Sequence, residues 1–181
     1  RAFAGADTWS TAYVLAQVIR EIGDYDLILC GERATDGDTG QVGPNIAAAL
    51  DVPLATYVSQ IEEVDPTARQ MKVWRMTEYG YEQLALPLPA LLTVVKEVSF
   101  PRLPTLRGKQ RARRADIKVY SADNLSVEKD KIGLKGSPTR VTKIETPKVT
   151  RGGVLLKPAD EQALEDAVDK LVAFLKDKDL V

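Results

Sequence analysis

Residues 24–58, DYDLILCGERATDGDTGQVGPNIAAALDVPLATYV, decide the fold. The run Leu27–Cys30 is apolar without alternation, the pattern of a strand covered on both faces in a parallel sheet. Pro44 suits the first turn of a helix reaching about Leu50. Asp51-Val52-Pro53 then makes a turn, and Leu54–Val58 reads as a second strand. Upstream, Ala12, Leu15, Ala16 and Ile19 recur at helical spacing behind Asp7-Thr8, a pair able to cap an N-terminus, so the spacing predicts an amphipathic helix over 8–22. The order helix, strand, loop, helix, strand belongs to an α/β protein with a doubly wound, mostly parallel sheet.

Further along, residues 70–86 alternate around Tyr79-Gly80 and predict a hairpin exposed on one face. Pro87 and Pro89 lead into a buried-strand core from Ala90. The basic section from Phe100 to Lys118 is expected to be loop and then strand. Residues 146–158, with two prolines and two glycines among charged groups, read as an extended linker. Beyond it Leu164, Ala167, Val168, Leu171, Val172 and Leu175 mark a terminal helix with one apolar stripe. The expected division is a main domain over 1–145 and a linker with a helical arm over 146–181.

Composition narrows the chemistry. The 181 residues, 44% apolar, suffice for one sizeable core and an appendage. The single cysteine, Cys30, excludes an internal disulfide and a Cys-rich zinc site. The absence of histidine removes the usual general base, the commonest zinc ligand and the Ser-His-Asp triad, so neither a metal site nor common hydrolytic chemistry is expected. A net charge of -1 gives no global attraction to nucleic acid or to an anionic membrane. No apolar stretch is long enough to span a bilayer, and the opening residues lack a signal-peptide pattern; the chain reads as soluble and cytoplasmic.

The loop ATDGDTGQVGPN, residues 34–45, carries two acidic residues and three glycines but no Lys or Arg. A loop leaving the carboxyl end of a buried strand for a helix lies where open α/β sheets bind ligands, and its glycines let the backbone approach closely. Amides at the helix start favour an anion, so a monophosphate or diphosphate is the natural guest. Asp36 and Asp38 would repel it if they pointed inward, and are expected to cap loop amides or meet ribose hydroxyls. A calcium loop started at Asp36 fails, because Gly40, Gln41 and Ala47 fall at its fifth, sixth and twelfth positions. The GK[ST] P-loop and GxGxxG patterns are absent. A plain Gly-rich turn accounts for the spacing equally well.

Three separated segments, CGERATDGDTGQVGPNIAAAL (30–50), LPALLTVVKEVSFPRLPTLRGKQRARR (88–114) and GLKGSPTRVTKIE (133–145), resemble the beta subunits of electron transfer flavoproteins in the order found there. The resemblance implies an adenine-nucleotide-binding α/β fold and pairing with an alpha subunit that carries an FAD. It makes the DGDTxQVGP loop the phosphate segment, with Ala34, Asp36, Gly37, Asp38, Thr39, Gln41, Val42, Gly43 and Pro44 as contacts. Cys30 and Gly31 would lie near the adenosine, although Cys30 also reads as a small core residue.

The opening RAFAGADTWSTA resembles the segment that marks the electron-bifurcating branch. That implies FAD rather than AMP in this site and NADH as electron donor, with Arg1, Phe3, Ala4, Gly5, Asp7 and Thr8 near the reactive end. Helix capping is the alternative role for Asp7 and Thr8. The family's further N-terminal βαβ portion, which supplies part of the adenine pocket, has no counterpart in this sequence.

By the same resemblance Leu106 matches the apolar anchor of a recognition loop that docks on an acyl-CoA or other dehydrogenase, flanked by Arg107, Lys109, Arg111, Arg113 and Arg114. Taken alone, that basic run is a solvated face; a nucleic-acid site is disfavoured because no aromatics interleave it. The terminal helix either packs on its own domain or, as the family implies, reaches the alpha subunit. Two other functions stay open: a simple electron carrier with AMP in this site, and a non-redox nucleotide-binding regulatory module. Trp9, Trp74 and the tyrosines are assigned no relay role.

Overall fold

The apolar run after Asp26 becomes β1 (Leu27–Gly31), preceded by α1 (Thr8–Ile22) and followed, after the glycine-bearing loop, by α2 (Val42–Leu50). The computed structural model describes residues 1–145 and 153–180, which fall into two units, Arg1–Thr142 and Lys143–Val181. In the first unit β2 (Leu54–Asp65), β3 (Gln70–Thr77), β4 (Gly80–Pro87) and β5 (Ala90–Val94) complete a sheet of order β1-β5-β2-β3-β4. Strands β1, β5 and β2 pair in parallel, while β2-β3-β4 is an antiparallel meander. The α/β class read from the sequence is the architecture found.

Successive strand residues face opposite sides, and β5 shows what each side buries. Leu91 packs beneath α1 and α2 with Ala12, Ile46 and Ala47, and with the half-buried Ile28, Cys30 and Leu54. Leu92 faces the other way, joining Ala90, Ala55, Val58, Met71, Val73 and Leu86. Each fully buried aliphatic side chain here contributes roughly 1.5–3 kcal/mol. Together they fix the carboxyl end of β1, and with it the start of the loop. At the far end of the loop Gly43, in the first turn of α2, lies so close to β5 that a Cβ there would stand 2.5 Å from Thr93 Cγ2.

Strand β2 runs well past Val58, where the sequence pattern ends it. Tyr57 adopts φ 54°, and the register with β5 shifts between Ala55 and Val58. This irregularity lets the strand leave its parallel neighbour and continue against β3.

The expectation of a strand in the basic section is corrected: residues 106–114 form the helix α3 (Leu106–Arg114). Thr105 caps it, its hydroxyl accepting from Gly108 N–H at 3.1 Å, and the Leu, Arg, Lys, Gln and Ala that follow are strong helix formers. A one-turn helix, α4 (Gly133–Gly136), follows a long irregular stretch.

The expected linker lies partly outside the described residues, at 146–152; residues 153–158 have no regular secondary structure. The terminal helix is α5 (Glu161–Asp177), capped by Asp160, whose carboxylate accepts from Ala163 N–H at 2.8 Å. Its apolar residues include Leu164, Val168 and Leu171, none of them buried. Among the described residues no helix is long and apolar enough to cross a membrane.

Candidate functional site

The loop between β1 and α2 is shaped mainly by its own backbone. Asp38 N–H donates to Ala34 C=O at 2.9 Å, and Gly37 N–H donates to Asp36 Oδ1 at 2.8 Å. Asp36 therefore turns its carboxylate onto a loop amide, one of the two arrangements expected of it. Asp38 does not cap a loop amide as expected; it pairs with Arg33, whose Nη1 lies 3.3 Å from its Oδ1. Gly40 takes φ 61°, a left-handed turn for which glycine is suited, before the chain enters α2.

The first turn of α2 begins without a capping side chain. Gln41 precedes it without a side-chain cap, and Pro44 has no N–H, so the first-turn amides of Val42 and Gly43 have no partner within the helix. Partial positive charge gathers there, at the carboxyl end of β1, without any lysine. Gly43 also lets the helix start sit directly on β5. Backbone donors at a helix start are of the kind that hold a phosphate.

A second arm of the site comes from the chain's opening residues. Thr8 Oγ1 donates to Gln41 Oε1 at 2.9 Å, joining the first residue of α1 to the residue before α2. Asp7, the residue before α1, is a hub. Its Oδ1 accepts from Ser10 N–H at 3.0 Å, and its Oδ2 accepts from both the N–H and the hydroxyl of Thr139 at 3.0 Å. Its own N–H donates to Ser137 Oγ at 2.8 Å. Partial desolvation pushes the Asp7 carboxyl up, but the hydrogen bonds from Ser10, Thr139 and Trp9 outweigh it and hold its pKa below the ordinary value. Of the pair foreseen as caps, Asp7 caps α1, while Thr8 reaches across to Gln41 instead.

The linkage follows from that direction. A carboxyl whose pKa is depressed on folding adds stability that is fully present above its unfolded pKa, about 3.9, and is lost as pH falls through the lower folded value. Replacing Asp7 by alanine should cost about 1–2 kcal/mol at pH 7, the upper part of the range for a helix cap. The difference from wild type in urea denaturation should shrink as pH falls below about 3.9 and through the lower folded value, as the carboxylate it removes becomes protonated in both states.

The remaining foreseen residues are placed as follows. Cys30 points into the cluster under α2, where burial pushes its thiol pKa up. Gly31 ends β1 and is exposed, as are Ala34, Thr39 and most of the loop. Arg1, Ala4 and Gly5 are exposed and Phe3 is half-buried, in a turn ahead of α1. Leu106 is 85% exposed at the start of α3. Arg107, Arg111 and Arg114 share one face of that helix and, with Gln110 and Ala115, line a shallow concavity.

Sequence reasoning missed Arg33, which neutralises Asp38 from just outside the quoted loop, and Ser137 and Thr139, which were quoted within a motif and given no role. It also missed Phe100 and Leu103, 98% and 87% exposed, which place two more apolar side chains ahead of Leu106.

Comparison with known proteins places the chain in a family. The model of the electron transfer flavoprotein domain matches residues 1–125. The electron transfer flavoprotein subunit beta of Thermoanaerobacterium thermosaccharolyticum is 43% identical over 173 residues, covering 94% of this chain and 65% of the relative. That of Megasphaera elsdenii is 43% identical over 183 residues, covering 96% and 66%. The caffeyl-CoA reductase-Etf complex subunit CarD of Acetobacterium woodii is 37% identical over 181 residues, covering 100% and 67%. The chain thus spans about two thirds of the length of these curated relatives.

Proposed function

The chain belongs to the electron transfer flavoprotein family, and we propose that it acts as a beta subunit whose loop 34–44 holds an adenine nucleotide, FAD in preference to AMP, beside an alpha subunit. The observation that carries the reading is the Thr8–Gln41 hydrogen bond of 2.9 Å, which ties the opening segment to the phosphate loop and so allows one extended ligand to meet both. A mononucleotide needs only the loop; a dinucleotide also uses the neighbouring segment.

In this reading Val42 and Gly43 donate backbone N–H groups to phosphate oxygens, and Gly37 and Gly40 let the loop close around them. Asp36 and Asp38 stay turned to Gly37 and Arg33, which removes their charge from the anion's path. Thr8 holds the Gln41 side chain, and the turn of Arg1–Ala6 supplies the wall at the far end. A bound flavin supplies hydride acceptance and one-electron transfer, with NADH or a reduced dehydrogenase as donor. The protein contributes orientation and exclusion of water. Relatives whose names include caffeyl-CoA reductase and acryloyl-CoA reductase fit a redox role of this kind.

Partner contact is assigned to the segment from Phe100 to Arg114. Exposed Phe100, Leu103 and Leu106 supply apolar anchors, and Arg107, Arg111 and Arg114 supply the steering charge, a combination suited to brief electron-transfer encounters. The exposed apolar stripe of α5 is assigned to the alpha subunit.

Co-expression of the full-length protein with its alpha subunit, followed by counting the nucleotides released on denaturation, tests the reading. Two FAD and no AMP per heterodimer is the expected result. One FAD with one AMP would instead make it a simple carrier, and a complex without flavin would favour a regulatory module.

A further inference from the structure

Thr139 lies 132 residues from Asp7 in sequence, yet it gives that carboxylate two hydrogen bonds at 3.0 Å. The surrounding contacts show that this is one part of a continuous seat. Ser137 accepts from Asp7 N–H and donates its own hydroxyl proton to Gly133 C=O at 2.8 Å. Ser10 Oγ donates to Lys131 C=O at 2.9 Å, and Tyr13 OH accepts from Glu128 N–H at 3.0 Å. Gly133 and Gly136 admit the close approach, since a Cβ at the first would stand 2.4 Å from Ala2 O and at the second 2.0 Å from the Lys131 carbonyl carbon. The bonds fall on Asp7, immediately before Thr8, and on Ser10 and Tyr13 just after it, so they bracket Thr8, the residue of α1 that reaches the loop through Gln41.

We propose that Ser137 and Thr139 are positioning residues of the nucleotide site, acting through Asp7 and Thr8 on Gln41 and so on the loop that holds the phosphates. The proposal rests on the reading of that loop as a nucleotide site. Neither residue hydrogen-bonds to the loop itself. Their hydroxyls set where α1 begins, and Thr8 inherits that position. A purely structural clasp would stabilise α1 without changing what the loop binds.

The test uses the full-length protein in complex with its alpha subunit, stripped of nucleotide and titrated with FAD. Thr139→Val keeps the backbone N–H bond to Asp7 and removes the hydroxyl, and should weaken FAD by about fivefold, the share of one hydrogen bond. Thr139→Ser should restore binding to within about twofold. Thr8→Val should weaken FAD on its own, and the Thr8→Val/Thr139→Val pair should bind no worse than Thr8→Val alone, because both act along one path. Wild-type affinity for Thr139→Val, or additive losses in the pair, would overturn the proposal.

If the wild-type complex takes up neither FAD nor AMP, the functional reading fails, and the positioning role is read separately from amide exchange of residues 34–41 without ligand. Thr139→Val should then speed that exchange by about fivefold, and unchanged exchange would overturn it.

Discussion

Replacing Gly43 by valine is expected to destabilise the first unit by about 2–3 kcal/mol, as overpacking in a close-packed interior does. A Cβ at this position stands 2.5 Å from Thr93 Cγ2, and Cys30 Cβ and Leu91 Cδ2 close the space at 3.4 and 3.6 Å. Thr93 cannot swing aside freely, because its hydroxyl accepts from Tyr57 N–H at 3.1 Å where β2 makes its irregular turn. The start of α2 must therefore lift, taking the Val42 and Gly43 amides with it, so nucleotide binding should fall together with stability. Gly43→Ala should cost less, because alanine favours the helix by about 1 kcal/mol over glycine. Pairing Gly43→Ala with Thr93→Ser removes the offending methyl while keeping the hydroxyl, and urea denaturation should show most of the loss recovered.

Gly133→Ala should have the second large effect, confined to one region. The residue has φ 61°, which costs a side-chain-bearing residue about 1–2 kcal/mol, and its Cβ would meet the Ala2 carbonyl oxygen at 2.4 Å. That oxygen is backbone and has no rotamer by which to retreat. The segment 131–139 should therefore leave its seat on the opening residues at a local cost of about 3 kcal/mol, near a hundredfold in the opening equilibrium. Trypsin cleavage after Lys131 and Lys135 should quicken accordingly. The thermal midpoint of the β1-β5-β2 core should move little, since the clusters around Leu91 and Leu92 contain neither residue.

These two glycines also show how far the sequence could be read. Gly43 lies in a local strand–loop–helix pattern, so both its place in the loop and the helix after it were legible. The helix over 8–22 was read to its ends, because Asp7 and the apolar spacing are neighbours in sequence. The hairpin around Tyr79-Gly80 was local in the same way. Strand β2 was cut short, because its continuation depends on a left-handed Tyr57 and on pairing with β3, neither visible in a run of five residues.

The basic section reads as loop and then strand because its charge obscures its propensity. Its arginines, lysine and glutamine are good helix formers, and Thr105 supplies the cap. Gly133, Ser137 and Thr139 were invisible for a different reason. Their partners lie 130 or more residues away, and hydrogen bonding at that separation leaves no periodicity or spacing to read.

The central claim is that the carboxyl end of β1, the start of α2 and the opening segment form one nucleotide site. Amide hydrogen exchange on the nucleotide-stripped complex of the full-length protein with its alpha subunit, before and after saturation with FAD, tests it most directly. Slower exchange at Val42, Gly43 and the 34–41 loop, extending to residues 1–8, is the predicted result. Full FAD occupancy with exchange unchanged at all of these amides would place the ligand elsewhere and contradict the account.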